Sequence, residues 1–251
     1  MIDWPRSKRS MSQVKPLSFA DHGALCWHPS TVPVFQRGQG HIPVALDEIA
    51  ALALQVPLMV RATGDLAEPA IPVRALEQAW PAFFGQGGRW STAVSPWALR
   101  HGPFQIAPSP LGDLVLVDVG QLVPEADQGD SVQPLFLDDT ALAPVTEHRL
   151  IRLRAWRESR IAARKAATAL QQAGCLVPWQ DSAVWRIVDA AALAALSGTV
   201  VGKLHGVGAV GLAHILQVSQ GHLDLHRASP PSPVEKPPED AFLSVLREGF
   251  L

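Results

Sequence analysis

The sequence predicts an α+β protein: a mixed N-terminal half with a small sheet, and a mainly helical C-terminal half able to share one core with it. Three observations carry that expectation. Short apolar runs, LMVRA at 58–62 and LVLVDVG at 114–120, read as buried strands. The stretch EHRLIRLRAWRESRIAARKAATALQQAG at 147–174 reads as one long helix. And 251 residues that are 47% hydrophobic and 18% charged suffice for a real core.

The elements follow in order. Residues 1–20 read as a flexible basic arm, with Arg6, Lys8 and Arg9 and no apolar run of a secretory signal. A part spanning 21–146 begins with ALCWHPSTVPVF, which starts as a strand and runs into Pro29 and Pro33. DEIAALALQ at 47–55 predicts a short helix, with Asp47 and Glu48 at its positive end and Ile49, Leu52 and Val56 at helical spacing. Pro57 stops it before the strand at 58–62. TGDLAEPA at 63–70 reads as a turn or exposed loop, and IPVRALEQ and AWPAFFGQGG lead into GRWSTAVSPWALRHGPFQIA at 88–107. PSPLGD is a turn before the strand at 114–120, and the polar PEADQGDSVQP leads to LFLDDTALAP, a hairpin or surface turn.

The sign of charge then flips. Residues 113–147 hold eight acids and no Lys or Arg, whereas the helix that follows is basic. It opens a mainly helical part, 147–227. Leu153, Trp156, Ala163, Ala167 and Leu170 can form one face, Arg157, Arg160 and Arg164 another, and Gly174 is placed to cap the end. WRIVD at 185–189 reads as a strand. Asp189 is an N-cap for a helix ended by Gly198, and 206–227 reads as the last helix. Residues 228–251 form a Pro-rich linker and a short amphipathic tail.

Charge and cysteine content narrow the partners. A net charge of -2 creates no field for nucleic acid, and no apolar stretch predicts membrane insertion. Cys26 and Cys175, with no CxxC partner, read as reduced thiols, and a cytoplasmic location is expected.

Chemistry-bearing motifs are sparse. Gly206, Gly208 and Gly211 satisfy G-x-G-x-x-G spacing, but no strand–turn–helix context surrounds them, so close helix packing explains them better. His222 and His226 lie four apart on a helix, yet two nitrogens do not make a metal site, and no metal or other cofactor is expected. No G-x-S-x-G occurs, and Asp138 and Asp139 read as a solvated turn. Arg157, Arg160 and Arg164 could meet phosphates but lack interleaved aromatics, so a solvated face is favoured. No residue is nominated as catalytic.

The remaining cluster is at 88–107. Arg89 and Arg100 are donors for a carboxylate or phosphate, and Trp90, Trp97 and Phe104 offer faces on which a ligand can stack. Packing explains the same aromatics equally physically, with Arg100 tying down loop carbonyls, and on chemistry alone packing is preferred.

The order GRW, a Pro, then LR-x-x-PF-x-I-A resembles the SapC family, named after a surface-layer-associated protein. The matching residues are Gly88, Arg89, Trp90, Pro96, Leu99, Arg100, Pro103, Phe104 and Ala107. LVLVDVGQLV resembles the family's hydrophobic strand. QPLFLDDTALAP is similar to its PLF region, with Gln133 and Ala141 where glycines are expected. Residues 165–226, with LVPW and a V-D-x-x-x-L helix start, resemble its closing part. The family pattern tends to an aromatic at Val94 and an aromatic or charged residue near His101.

The resemblance supplies no catalytic residues. It implies an accessory role near surface layers or export, or beside TonB-dependent receptors and halogenase-like proteins. The leading expectation is therefore a non-enzymatic accessory protein that binds a partner protein or peptide. The alternative is a small-molecule binding protein or enzyme that clamps an anion at Arg89 and Arg100.

Overall fold

The computed structural model describes residues 14–29, 40–73, 90–110, 112–124 and 132–228. Outside the described residues lie the arm before Val14, the run at 79–89 with Gly88 and Arg89, parts of the connections at 30–39 and 125–131, and the linker and tail after Ala228.

The strands are β1 (Val14–Pro16), β2 (Leu25–Trp27), β3 (Ile42–Pro43), β4 (Met59–Thr63), β5 (Leu66–Ile71), β6 (Phe104–Ser109), β7 (Gly112–Asp118), β8 (Leu122–Pro124), β9 (Gln133–Pro134), β10 (Leu176–Pro178) and β11 (Trp185–Val188). The helices are α1 (Phe19–His22), α2 (Ile49–Ala53), α3 (Pro144–Gln172), α4 (Ala190–Ala194), α5 (Gly198–Gly206) and α6 (Ala209–Ala228). The protein is α+β as expected, with antiparallel pairing in three small sheets ordered β1-β7-β6, β10-β11-β4-β5-β3 and β8-β2-β9.

Helix α3 organises the molecule. Its 29 residues begin with Pro144 at the first turn, where a missing N–H costs nothing. The helix ends at Gly174, whose φ of +71° supplies the left-handed turn that a side chain resists. Leu150 and Leu153 enter a cluster with Trp27, Phe104, Val117 and Leu135. Farther along, Ala166, Ala167 and Leu170 enter a larger cluster with Ile49, Leu52, Val60, Ile71, Leu212 and Leu216. That larger cluster takes residues from both halves of the chain, so the two halves share a core. Ala163, Ala166 and Ala167 are fully buried, and such small side chains let β5 approach the helix closely.

Several local expectations are corrected. Most of TGDLAEPA at 63–70, read from sequence as a turn or exposed loop, lies in the inner strand β5, which is buried from Ala67 to Ile71. Glu68 broke its apolar pattern, and Pro69 argued against a strand. Pro69 lies beyond the short β3 register, and its carbonyl accepts Val44 N–H at 3.1 Å. Val14–Pro16, assigned to the flexible arm, pairs with β7. Phe104–Ser109 forms a hairpin with β7, which periodicity had not marked as a strand. Gly198 does not end a helix: α4 stops at Ala194, and Gly198 opens α5. The Gly206–Gly211 run spans a sharp corner between α5 and α6, with no strand before it, so it forms no dinucleotide-binding loop.

Among the described residues no single helix is long and apolar enough to cross a membrane. The bent pair α5–α6 has the composition, but Leu204, Ala209, Leu212, Ala213 and Leu216 are spent on the core. Cys26 and Cys175 are both buried. Burial, and then the neighbouring Asp189, hold the Cys175 thiol above its ordinary value.

Candidate functional site

The segment Trp90–Phe104 crosses from one apolar cluster to the other. Trp90 is buried in the larger cluster, and its indole N–H donates to the Val94 carbonyl at 2.7 Å. Phe104 is fully buried in the smaller one, edge-on to Trp27 with ring centroids 4.9 Å apart. These two expected site residues are therefore architecture. Between them, Trp97–Leu99 form a single 3₁₀ turn that leaves Trp97 and Arg100 half-buried.

Trp97 and Arg100 meet residues that sequence reasoning did not nominate. A cavity of about 150 Å³ is lined by Asp47, Glu48, Trp97, Arg100, Arg152, Ala155 and Trp156. Arg149, Arg152 and Trp156 stand at i, i+3 and i+7 on α3, one face of a helix. That spacing is the signal in the sequence that marks them as neighbours.

Glu48 is the keystone. One oxygen, Oε1, accepts Ala45 N–H at 3.0 Å and the Trp156 indole N–H at 2.9 Å. The other, Oε2, accepts Trp97 N–H at 2.7 Å. A single carboxylate thus joins the start of α2, the 3₁₀ turn and α3. Burial raises its pKa, and the hydrogen bonds from Ala45, Trp97 and Trp156 only partly oppose that rise. Beside it, Asp47 is exposed, and one of its oxygens accepts the Ser159 hydroxyl at 2.8 Å.

The positive side is denser. The guanidinium carbons of Arg100, Arg149 and Arg152 lie 5.2, 5.4 and 5.5 Å from the Trp97 ring centroid. Each contact is worth roughly 0.5–1 kcal/mol at an exposed site. Arg149 also donates to the Arg100 carbonyl, so it is Arg149 that ties down the loop, a task the sequence had assigned to Arg100. Burial, and then the Arg100 charge, lower the Arg149 pKa. Burial likewise lowers that of the adjacent His101. Among the described residues, Arg100 Nε and Trp97 Nε1 are buried with no hydrogen-bond partner. Among the described residues, no carboxylate lies within 4.0 Å of Arg100 or Arg152. Cations gathered with no described carboxylate in ion-pair contact favour an anion placed among them.

The other candidates resolve differently. Arg160 and Arg164 are engaged by Glu68 at 2.8 and 3.0 Å, and Arg157 by Asp113, so this face of α3 is an ion-paired seam. Asp138 caps its own turn, accepting Thr140 and Ala141 N–H groups at 2.9 Å each. His222 Nε2 lies 3.1 Å from the Ala53 carbonyl, and the His226 side chain is outside the described residues. Among the described residues, no three His, Cys, Asp or Glu side chains are grouped to hold a metal.

Comparison with known proteins yields one match. The SapC family model covers residues 17–225, most of the chain. No curated protein and no solved structure matches.

Proposed function

The chain belongs to the SapC family, and on that premise we propose that it is a non-enzymatic accessory binding protein whose recognition element is the Arg100–Arg152 pocket. The ligand presents a small anionic group, a carboxylate being the best fit to the planar guanidinium fork. The observation that carries this reading is the gathering of three guanidiniums around Trp97 while, among the described residues, Arg100 and Arg152 have no carboxylate partner. The pocket inventory is donors, aromatic faces and two carboxylates, a chemistry suited to holding a ligand. At about 150 Å³ the cavity is smaller than the roughly 300–1,000 Å³ usual for drug-sized ligands, so it suits a headgroup. A cytoplasmic setting beside a surface-layer, export or receptor-linked uptake system completes the proposal and rests on the family resemblance. A partner peptide reaches the same pocket through a terminal or side-chain carboxylate.

The test is titration of the full chain with propionate, read from the indole N–H resonances of Trp97 and Trp156. A charge-assisted hydrogen bond contributes about 1.5–3 kcal/mol, so Arg152→Ala is expected to weaken binding by at least about tenfold. Arg152 is solvent-exposed, so the variant keeps its fold. Equal propionate affinity in the variant, or no response in the native chain, refutes the proposal.

A further inference from the structure

The pocket carries both signs of charge, and the two signs do not neutralise each other. Asp47 and Glu48 line one part of it, and Arg100 and Arg152 another, yet no ion pair within 4.0 Å joins the two sets. In a cavity of about 150 Å³, unpaired opposite charges are held apart by the scaffold. Glu48 is pinned from three sides by Ala45, Trp97 and Trp156. Arg100 is held at the end of the 3₁₀ turn, its N–H bonded to the Trp97 carbonyl at 2.8 Å. The Arg100 guanidinium lies over the Trp97 ring, 5.2 Å from its centroid.

Acceptor capacity also remains on the acidic side. Glu48 Oε2 accepts one hydrogen bond, from Trp97. Asp47 Oδ1 accepts the Ser159 hydroxyl, and among the described residues no donor reaches Oδ2. A carboxylate has about four lone-pair sites, so both groups can take a further N–H. A ligand with only an anionic group would satisfy the arginines and bring its charge close to two carboxylates. A ligand with only an ammonium would do the reverse.

Resting on the anion-binding reading above, we propose that the ligand is a free α-amino acid, bound as its zwitterion. Its carboxylate meets Arg100 and Arg152, and its ammonium meets Asp47 and Glu48. An α-amino acid carries both charged groups on one carbon, in a single small headgroup that suits a cavity of this size. A peptide longer than one residue separates its termini and offers only one of them.

The experiment compares matched ligands on the full chain by calorimetry. Alanine is set against propionate and ethylamine, and phenylalanine against 3-phenylpropionate and phenethylamine, so that side-chain size is covered. At least one amino acid is expected to bind tenfold or more tightly than both of its one-charge analogues. Asp47→Asn, at an exposed position where the amide oxygen still accepts from Ser159, is expected to abolish that advantage by weakening the amino acid, while the carboxylic acid's affinity holds or rises as a nearby like charge is removed. If the acids bind as tightly as the amino acids, the zwitterion proposal is overturned while anion binding stands. If neither binds, both readings fall. An unchanged amino-acid preference in Asp47→Asn removes the assigned ammonium site.

Discussion

Replacing Glu68 by Gln removes the single carboxylate that binds the arginine face of α3 to the five-stranded sheet. Glu68 is 6% exposed. It lies 2.8 Å from Arg160 Nη2, 3.0 Å from Arg164 Nε, 3.4 Å from His41 Nε2 and 3.9 Å from Arg61 Nη1. Burial alone would raise its pKa, but the His41 hydrogen bond and the Arg160 and Arg164 charges overcome that and bring it from 4.5 to about 2. At about 1.4 kcal/mol per unit, the ionised form contributes roughly 3 kcal/mol to folding. The folded pKa is the lower one. The contribution is therefore complete above about pH 5 and drains away as acid protonates the carboxylate down to about pH 2.

Gln keeps the shape and loses the charge. Its arginine partners are partly exposed and regain water, so the cost falls at or below the low end of the roughly 3–5 kcal/mol for breaking a buried pair. Glu68→Gln is expected to lose about 2–3 kcal/mol at neutral pH, or about 5–10 °C in Tm. Urea unfolding followed by circular dichroism at a series of pH values measures it, and the gap between native and variant should narrow as pH falls below about 5. A difference under about 0.5 kcal/mol at neutral pH, or a gap that acid does not narrow, refutes the reasoning.

Two further substitutions test the platform beneath the pocket. Thr146 is fully buried, accepting the Trp27 indole N–H at 2.8 Å and donating to the Pro134 carbonyl at 3.0 Å. Thr146→Val orphans both and should cost about 1–3 kcal/mol in the same denaturation assay; a neutral result would contradict that bonding. Gly102 has φ +71°, and an added Cβ meets the Trp27 ring at 3.0 Å. Gly102→Ala should cost about 1–3 kcal/mol and shift the Trp97 indole resonance, whereas a stable variant with an unmoved resonance would argue against the tight turn.

What was legible in the sequence was local. Helix α3 could be read because helix-forming residues, a 3.6-residue period, Pro144 and Gly174 act within a few residues of one another. Strands β4 and β7 showed in short β-branched runs for the same reason. The GRW…LRHGPF order identified the family without stating what its arginines touch. Strand β5 was not legible, because a buried Glu within a strand makes sense only with Arg160 and Arg164, 92 and 96 residues away.

The pocket belongs to the same class. Glu48 meets Trp97 and Trp156 across 49 and 108 residues. By itself, the sequence determined the class of fold, the long helix, the family and Arg100 as a residue of interest. Tertiary structure alone decided that Trp90 and Phe104 are spent on the core. It also decided that Arg157, Arg160 and Arg164 are neutralised, and that Arg100 and Arg152 face a cavity without an ion pair among the described residues. The physical reason is that periodicity reports which face of an element is buried, whereas the state of a charge depends on what the rest of the chain brings within about 4 Å of it.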